Sequence, residues 1–185
     1  MFMNKGYLLL IFYMLNISCS DEVNIITRTK EEQLDLDKKR IEGYIDENNL
    51  TGFRSLDNGL HYKILDQGNS KFPSIGDTLS VEYIGQLLNG TEFDRNNTNQ
   101  PFEFILGSGQ VIEGWEIGVP YIDETGNGIL IIPSGLAYGN SSSGSIPENA
   151  VLIFRIKLVE ISKMRFIIIL SIFIISCNVD EVYVD

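Results

Sequence analysis

A set of large aromatic side chains with one carboxylate beside them is the feature of this chain best suited to chemistry. The set comprises Tyr83, Phe93 with Asp94, Trp115, Tyr138 and Phe154. Rings gathered around one concave surface would give a dry pocket with few polar groups. Such a pocket suits a reaction that requires no nucleophile, metal or cofactor, and we expect none of the three.

The inventory of nucleophiles and metal ligands argues in the same direction. The single histidine, His61, lies in the alternating run LHYKIL, where we expect its side chain to be solvated. No serine or cysteine is accompanied by a plausible histidine, so hydrolase chemistry is disfavoured. The two cysteines, Cys19 and Cys177, each follow an apolar run, which is a poor pattern for a disulfide or a zinc site.

The net charge excludes one class of partner. The chain of 185 residues carries a formal charge of -11, and contact with phosphates needs clustered Lys and Arg. We therefore expect no nucleic-acid partner.

The first residues have the layout of an export signal. Lys5 precedes the apolar run from Tyr7 to Leu15, and small or polar residues lead to Cys19. Residues 1–18 resemble a bacterial lipoprotein signal peptide, which implies lipidation at Cys19 and an envelope location, on the periplasmic side of the membrane or at the cell surface. An uncleaved N-terminal anchor is the alternative, and it leaves the domain on the same side of the membrane.

The last residues repeat this layout. Residues 162–185 contain Met164, the apolar run from Phe166 to Ile175, and Cys177. This run is short for crossing a bilayer about 30 Å thick and is typical of a signal peptide. The tail resembles a second lipoprotein signal, and we interpret it as a neighbouring reading frame fused at Met164. The alternative is an apolar C-terminal helix that lies on the membrane or on the domain.

Residues 19–57 are predicted to form a tether and an amphipathic helix. Thr29 and Glu32 have the spacing of a capping box, so a helix is expected from about Lys30 to Glu47. Leu34, Ile41, Tyr44 and Ile45 give it one narrow apolar stripe. The stripe could pack on this domain or on a second copy of the chain.

Beyond residue 57 the pattern favours antiparallel strands. Strands are expected near 60–65, from 79 with an Asn89-Gly90 hairpin turn, from 101, from 127 and from 150. In the last, Leu152 and Phe154 begin the core face, and Arg155 lies on a wet opposite face. One short helix is expected at about 111–119. The predicted fold class is α+β, with a bent antiparallel β-sheet wrapped around one short helix and an N-terminal helical extension.

Residues 58–161 resemble the FKBP-type peptidyl-prolyl isomerase domain. The motifs that carry the resemblance, in sequence order, are YIG, FD, PFEFILG, VIEGWEIGV, LIIPSGLAYG, IP and LIFRIKLVEI. The resemblance implies a pocket with Trp115 as its floor and Asp94 and Tyr138 as its polar groups. It also implies that Tyr138 supplies a hydroxyl and Ile112 a backbone N–H to substrate carbonyls. The implied substrate contacts are Tyr83, Phe93, Phe102, Val111, Ile112, Ile146 and Phe154.

Two segments depart from the family pattern. The loop after Asp94, RNNTNQ, is shorter than the common form and lacks an arginine that often pairs with the aspartate. After Tyr138 the rim reads GNSSSGSIPEN, in which Ser145 replaces a bulky contact. Asp94 could act on the rotated carbonyl or brace the tyrosines, and the residues leave both roles open.

The activity implied is rotation of Xaa-Pro bonds in exported, proline-containing proteins, with macrolides as inhibitors. An apolar pocket favours the twisted amide, since that state has lost its charge-separated resonance form. The alternative is a non-catalytic chaperone or assembly module of an envelope machinery. FKBP-type lipoproteins associated with gliding motility have a similar layout.

Overall fold

The computed structural model describes residues 28–96 and 100–163 of the chain. The predicted signal peptide, lipidated Cys19 and apolar tail after Met164 lie outside these residues. Within them, no helix is both long and apolar enough to cross a membrane.

The first element is helix α1, Lys30–Glu47, and it has the predicted bounds. Its N-terminus is closed by a capping box, in which Glu32 N donates to Thr29 Oγ1 at 3.1 Å and Thr29 N donates to Glu32 Oε2 at 2.9 Å. The helix ends at Asn48, and Asn49 follows in the left-handed conformation, with φ 51°. The sequence therefore defines both ends of this helix through local hydrogen bonds.

A seven-stranded antiparallel sheet follows α1. Its strands are β1 (Arg54–Ser55), β2 (His61–Asp66), β3 (Thr78–Leu87), β4 (Glu92–Arg95), β5 (Phe102–Ile105), β6 (Asn127–Ile132) and β7 (Leu152–Ser162). The strand order is β1-β2-β6-β7-β3-β4, and β5 pairs with β3 as well. The predicted bent antiparallel sheet is confirmed. The final strand, β7, lies in its interior between β6 and β3.

A short helix, α2 (Glu113–Gly118), continues into a 3₁₀ turn, Val119–Tyr121, and packs against the inner face of the sheet. Two glycines of α2 allow the close approach: a Cβ on Gly114 would collide with Ile132, and one on Gly118 would lie 2.6 Å from Leu130. The helix begins two residues later than predicted, because Ile112 is its extended N-cap.

The outer face of the sheet carries a second apolar cluster, whereas the sequence predicted a solvated face. Ile41 of α1 is fully buried with Ile131, Val151 and Ile153 of the sheet region. The stripe of α1 therefore packs on this domain. On the outer face of β7, Arg155 and Lys157 are exposed to solvent, as predicted. Ile153 is buried, because α1 covers that end of the strand.

The predicted solvation of His61 is wrong. Its side chain is 6% exposed and lines a groove between α1 and the start of the sheet, together with Glu42 and Phe53. Its Nδ1 lies 3.0 Å from the Gly59 carbonyl oxygen. Alternation places His61 on the outer face of β2, but it cannot reveal that α1 covers that face.

Candidate active site

Five elements of the fold bring the predicted aromatic residues together. Tyr83 comes from β3, Phe93 from β4, Phe102 from β5, Trp115 from α2 and Phe154 from β7. Because β4 and β5 pair successively along the same edge of β3, their rings reach the region above α2. Residues far apart in sequence are therefore held in one cluster by the sheet.

Trp115 is the centre of this cluster. Its ring centroid lies 5.0 Å from Tyr83 and 5.1 Å from Phe154, both nearly perpendicular to it, and 6.2 Å from Phe102. Phe104, which is not among the predicted pocket residues, is a fourth neighbour at 5.8 Å. With 4% of its surface exposed, Trp115 closes the bottom of the cluster. Its indole N–H is buried without a hydrogen-bond partner among the described residues.

The wall formed by Phe93 and Phe154 depends on a glycine in β3. The two rings meet edge to face, with centroids 5.5 Å apart. A Cβ on Gly85 would lie 2.7 Å from Phe93 and 2.9 Å from Phe154. The absence of a side chain at Gly85 therefore gives both rings their positions.

Tyr83 and Asp94 form a polar edge of the aromatic cluster. The Tyr83 hydroxyl donates to Asp94 Oδ2 at 2.7 Å. Burial and the neighbouring Asp94 carboxylate, with a smaller contribution from Tyr138, raise the pKa of Tyr83 above its ordinary value. The phenol therefore stays protonated and holds Asp94 by a charge-assisted hydrogen bond.

Asn96 positions this edge, and sequence reasoning missed it. Its Oδ1 accepts from Tyr83 N at 2.7 Å, and its Nδ2 donates to the Val81 carbonyl at 2.9 Å. The side chain thus replaces the backbone pairing that β3 loses where β4 ends. The sequence signal was weak, since Asn96 is one of three asparagines in the polar run RNNTNQ.

Val111 and Ile112 follow a loop that is fixed by the next helix. Glu116 of α2 accepts from Gly107 N at 2.6 Å and from Gly109 N at 2.9 Å. Both hydrophobic side chains are half-buried against the core. Within the described chain, the Ile112 N–H donates no hydrogen bond, so it is available to a ligand.

The segment predicted to form the rim of the pocket lies between β6 and β7. Tyr138 is 41% exposed, whereas Ile146 is 6% exposed and joins the main core cluster. Ser143 and Ile146 pair through two backbone hydrogen bonds of 3.0 and 2.9 Å. The polar segment 141–145 lies outside, and the one apolar residue of the rim turns inward.

All ten residues predicted to form the pocket lie within the described part of the chain, and they differ in how they contact the core. Seven pack in or against the main core cluster: Tyr83, Phe93, Val111, Ile112, Trp115, Ile146 and Phe154. Phe102 stacks at the edge, Asp94 bonds to Tyr83, and Tyr138 is at the rim. Among residues 28–96 and 100–163, no three acidic, histidine or cysteine side chains are grouped to hold a metal ion. The arrangement is an apolar ring cluster with a few polar groups at its edge.

One family model matches the chain, and its range contains the aromatic cluster. It is described as FKBP-type peptidyl-prolyl cis-trans isomerase and matches residues 69–159. This range lies inside the predicted domain of residues 58–161.

Two relatives illustrate the sequence similarity. FK506-binding protein 4 of Gibberella zeae is 49% identical over 94 residues, which is 51% of this chain and 19% of that protein. A probable FKBP-type peptidyl-prolyl cis-trans isomerase FkpA of Neisseria meningitidis is 42% identical over 127 residues, which is 67% of this chain and 46% of that protein. The chain thus spans less than half the length of these relatives.

Two solved structures share the fold. FkpA from Escherichia coli aligns with a TM-score of 0.62 and 31% identity, covering 73% of this chain and 63% of that one. A peptidyl-prolyl cis-trans isomerase from Pseudomonas syringae aligns with a TM-score of 0.61 and 28% identity, covering 74% of this chain and 98% of that one.

Proposed function

Because the chain belongs, through residues 69–159, to the FKBP-type peptidyl-prolyl cis-trans isomerase family, we propose that it catalyses rotation about Xaa-Pro peptide bonds. The observation that supports this most directly is the position of Trp115. Its buried ring meets the rings of Tyr83, Phe102 and Phe154 in T-shaped contacts and that of Phe104 in a tilted contact. The surface so formed is apolar, which suits a compact ring such as that of proline.

The chemistry follows from what rotation does to the amide. The uncatalysed barrier is about 18–20 kcal/mol, because resonance gives the C–N bond double-bond character. At the twisted transition state this resonance is lost, and the carbonyl becomes less polar. Transfer from water to an apolar enclosure therefore costs the transition state less than the planar ground state.

We assign each pocket residue a role on this basis. Trp115 is the floor; Tyr83, Phe93, Val111, Ile112 and Phe154 are walls; and Phe102 and Ile146 bound the opening. The Ile112 N–H and the Tyr138 hydroxyl hold the carbonyls that flank proline, so that rotation occurs on one side of the ring. Since its Oδ2 is bonded to Tyr83, Asp94 is assigned the bracing role, with its exposed edge near the rotating carbonyl.

Clients and location extend this proposal. The resemblance of residues 1–18 to a lipoprotein signal supports a protein tethered in the cell envelope that acts on exported, proline-containing chains. The relatives named FK506-binding proteins support a further expectation, that an FK506-type macrolide binds this pocket and inhibits the reaction. Trp115 is the only tryptophan of the chain, so its fluorescence reports directly on either ligand.

A protease-coupled assay with an Xaa-Pro test peptide tests the proposal. The wild type should accelerate isomerisation, and the double variant Trp115→Leu, Asp94→Val should lose most of that rate. Phe72→Leu removes an aromatic ring that is 53% exposed and is the matched control, which should keep full activity. Circular dichroism verifies that each variant is folded.

A non-catalytic binding module predicts a different result from the same assay. Wild-type turnover no greater than that of the folded double variant would reject the isomerase proposal. Binding of a proline peptide to the wild type, detected by Trp115 fluorescence, would then support the chaperone or assembly role.

A further inference from the structure

The rim loop that carries Tyr138 and Ile146 is held at both of its ends by helix α1. One end is Ser134, whose backbone N–H and hydroxyl donate to Asp37 Oδ2 at 2.8 and 2.6 Å. The other end is Asn149, whose carbonyl accepts from Arg40 Nη1 at 3.1 Å. Asp37 and Arg40 are one helical turn apart, so a single face of α1 contacts both ends of the loop.

These contacts belong to a closed circuit of hydrogen bonds. Gly139 N donates to the Ser134 carbonyl at 2.8 Å, and Asn149 N donates to the Gly139 carbonyl at 2.7 Å. Arg40 Nη1 closes the circuit by lying 3.4 Å from Asp37 Oδ1. Gly139 directly follows Tyr138, so the circuit passes next to the tyrosine proposed to hold the substrate.

The central member of the circuit is costly to bury. Asp37 is 0% exposed, and a buried carboxylate needs donors on both oxygens to offset its lost hydration. Here Oδ2 receives the two Ser134 donors, while Oδ1 receives Gln33 Nε2 at 2.9 Å and the Arg40 guanidinium. An apolar side chain packed at this position would often be at least as stabilising. The carboxylate differs from an apolar side chain in that its hydrogen bonds fix the positions of Ser134 and Arg40.

We propose that Asp37 and Arg40 are positioning residues, through which helix α1 sets the rim loop for substrate binding. The inference rests on the proposed function of the pocket, since it assigns Tyr138 and Ile146 to the substrate. Among the described residues, neither Asp37 nor Arg40 is hydrogen-bonded to one of the aromatic residues of the proposed pocket. Their effect should therefore fall mainly on KM, because the loop holds the residues beside proline while Trp115 and its neighbours remain in place.

The test uses the full chain with two variants and two matched controls. Arg40→Ala removes a half-exposed side chain and opens the circuit with little loss of buried surface, and Asp37→Asn keeps the shape but removes the charge. Lys39→Ala and Asp35→Asn make the same charge changes at exposed positions of α1. We expect Arg40→Ala and Asp37→Asn to lower kcat/KM roughly three- to thirtyfold, mostly through KM, with the controls unchanged.

Amide hydrogen exchange supplies a readout that separates positioning from general stability. The amides of residues 139–149 should exchange faster in Arg40→Ala and Asp37→Asn, while those of β3 and β7 keep wild-type protection. Unchanged KM in both folded variants overturns the inference, whether or not exchange in the loop rises. A uniform rise across β3 and β7 also overturns it, since that result indicates destabilisation of the whole domain.

Failure of the proposed function is distinguishable from failure of this inference. If the wild type shows no turnover, the affinity for the same peptide is measured by Trp115 fluorescence instead. Weaker binding by Arg40→Ala and Asp37→Asn than by their controls then supports positioning without catalysis. Equal affinity across all four variants overturns the inference.

Discussion

The Tyr83 hydroxyl donates a 2.7 Å hydrogen bond to Asp94 Oδ2, so the acidic group at the pocket is already bound before any substrate enters. This hydrogen bond favours a role for Asp94 in orienting Tyr83 over a role in direct contact with the reacting amide.

Replacing Tyr83 by Phe keeps the ring but removes the donor. We expect a loss of about 0.5–1.5 kcal/mol in the free energy of unfolding and a fall in kcat/KM, because both the ring and Asp94 lose their orientation. Chemical denaturation and the peptide assay measure the two effects. Tyr121→Phe, at a stacked and 40% exposed tyrosine, is the control. Equal behaviour of the two variants would contradict the bracing role of Asp94.

Replacing Glu116 by Ala should disturb the loop that presents the Ile112 N–H. The carboxylate accepts from the backbone at Gly107 and Gly109, and the variant loses both hydrogen bonds. We expect KM for the peptide to rise several-fold. Glu113→Ala, at an exposed position of the same short helix, should leave KM unchanged. Identical KM values in both variants would show that the loop keeps its shape without Glu116.

Replacing Gly85 by Ala should displace the wall of the pocket. The added methyl group would overlap Phe93 and Phe154, and overpacking of this kind costs about 1–3 kcal/mol. Thermal unfolding and peptide affinity measure the consequences. The control is Gly43→Ala in α1, where a Cβ meets nothing within 4 Å, and it should stabilise the protein by about 0.5–1 kcal/mol. A destabilisation shared by both variants would show that the effect is not specific to the rings.

Glu124 should make the protein acid-sensitive. Its oxygens accept from Lys71 Nζ at 2.8 Å, Asn69 Nδ2 at 2.7 Å and Ile161 N at 2.7 Å, and these donors lower the pKa of the carboxyl to about 2. Because the pKa is lower in the folded state, the Glu124 carboxylate stabilises the folded protein at pH values above 4.5, which is its pKa in the unfolded chain. This contribution is lost as the pH falls toward 2.

Denaturation of the wild type and Glu124→Gln across this pH range measures that contribution. We expect the free energy of unfolding of the variant to be about 1–3 kcal/mol lower than that of the wild type at neutral pH. This difference should become smaller below pH 4.5. Glu148→Gln, at an exposed position, is the control. A gap that stays constant with pH would contradict the assignment.

Most of the fold could be predicted from local patterns. The ends of α1 follow from Thr29, Glu32 and Asn48, whose side chains act on backbone groups within a few residues. The inner face of β7 follows from the alternation that begins at Leu152. The aromatic cluster was predicted from its order in the sequence and a resemblance, and the structure confirms the sheet and short helix that such a pocket needs.

The errors and omissions share a physical cause, which is contact between segments far apart in sequence. His61 and Ile153 are buried because α1 covers the outer face of the sheet, and nothing in their own strands reveals that cover. Asp37 in its helix and Asn96 in its loop have the appearance of solvated polar residues. Their roles depend on Ser134, 97 positions away, and on the backbone of β3.

The position of β7 inside the sheet has a consequence for how the protein is made. Without residues 152–162, the group β1-β2-β6 and the group β3-β4-β5 share no ladder, because β7 joins them. In a nascent chain that leaves the ribosome with its N-terminus first, the sheet therefore cannot close until this strand has emerged. Until then Trp115 lacks its contact with Phe154, and the aromatic cluster is incomplete.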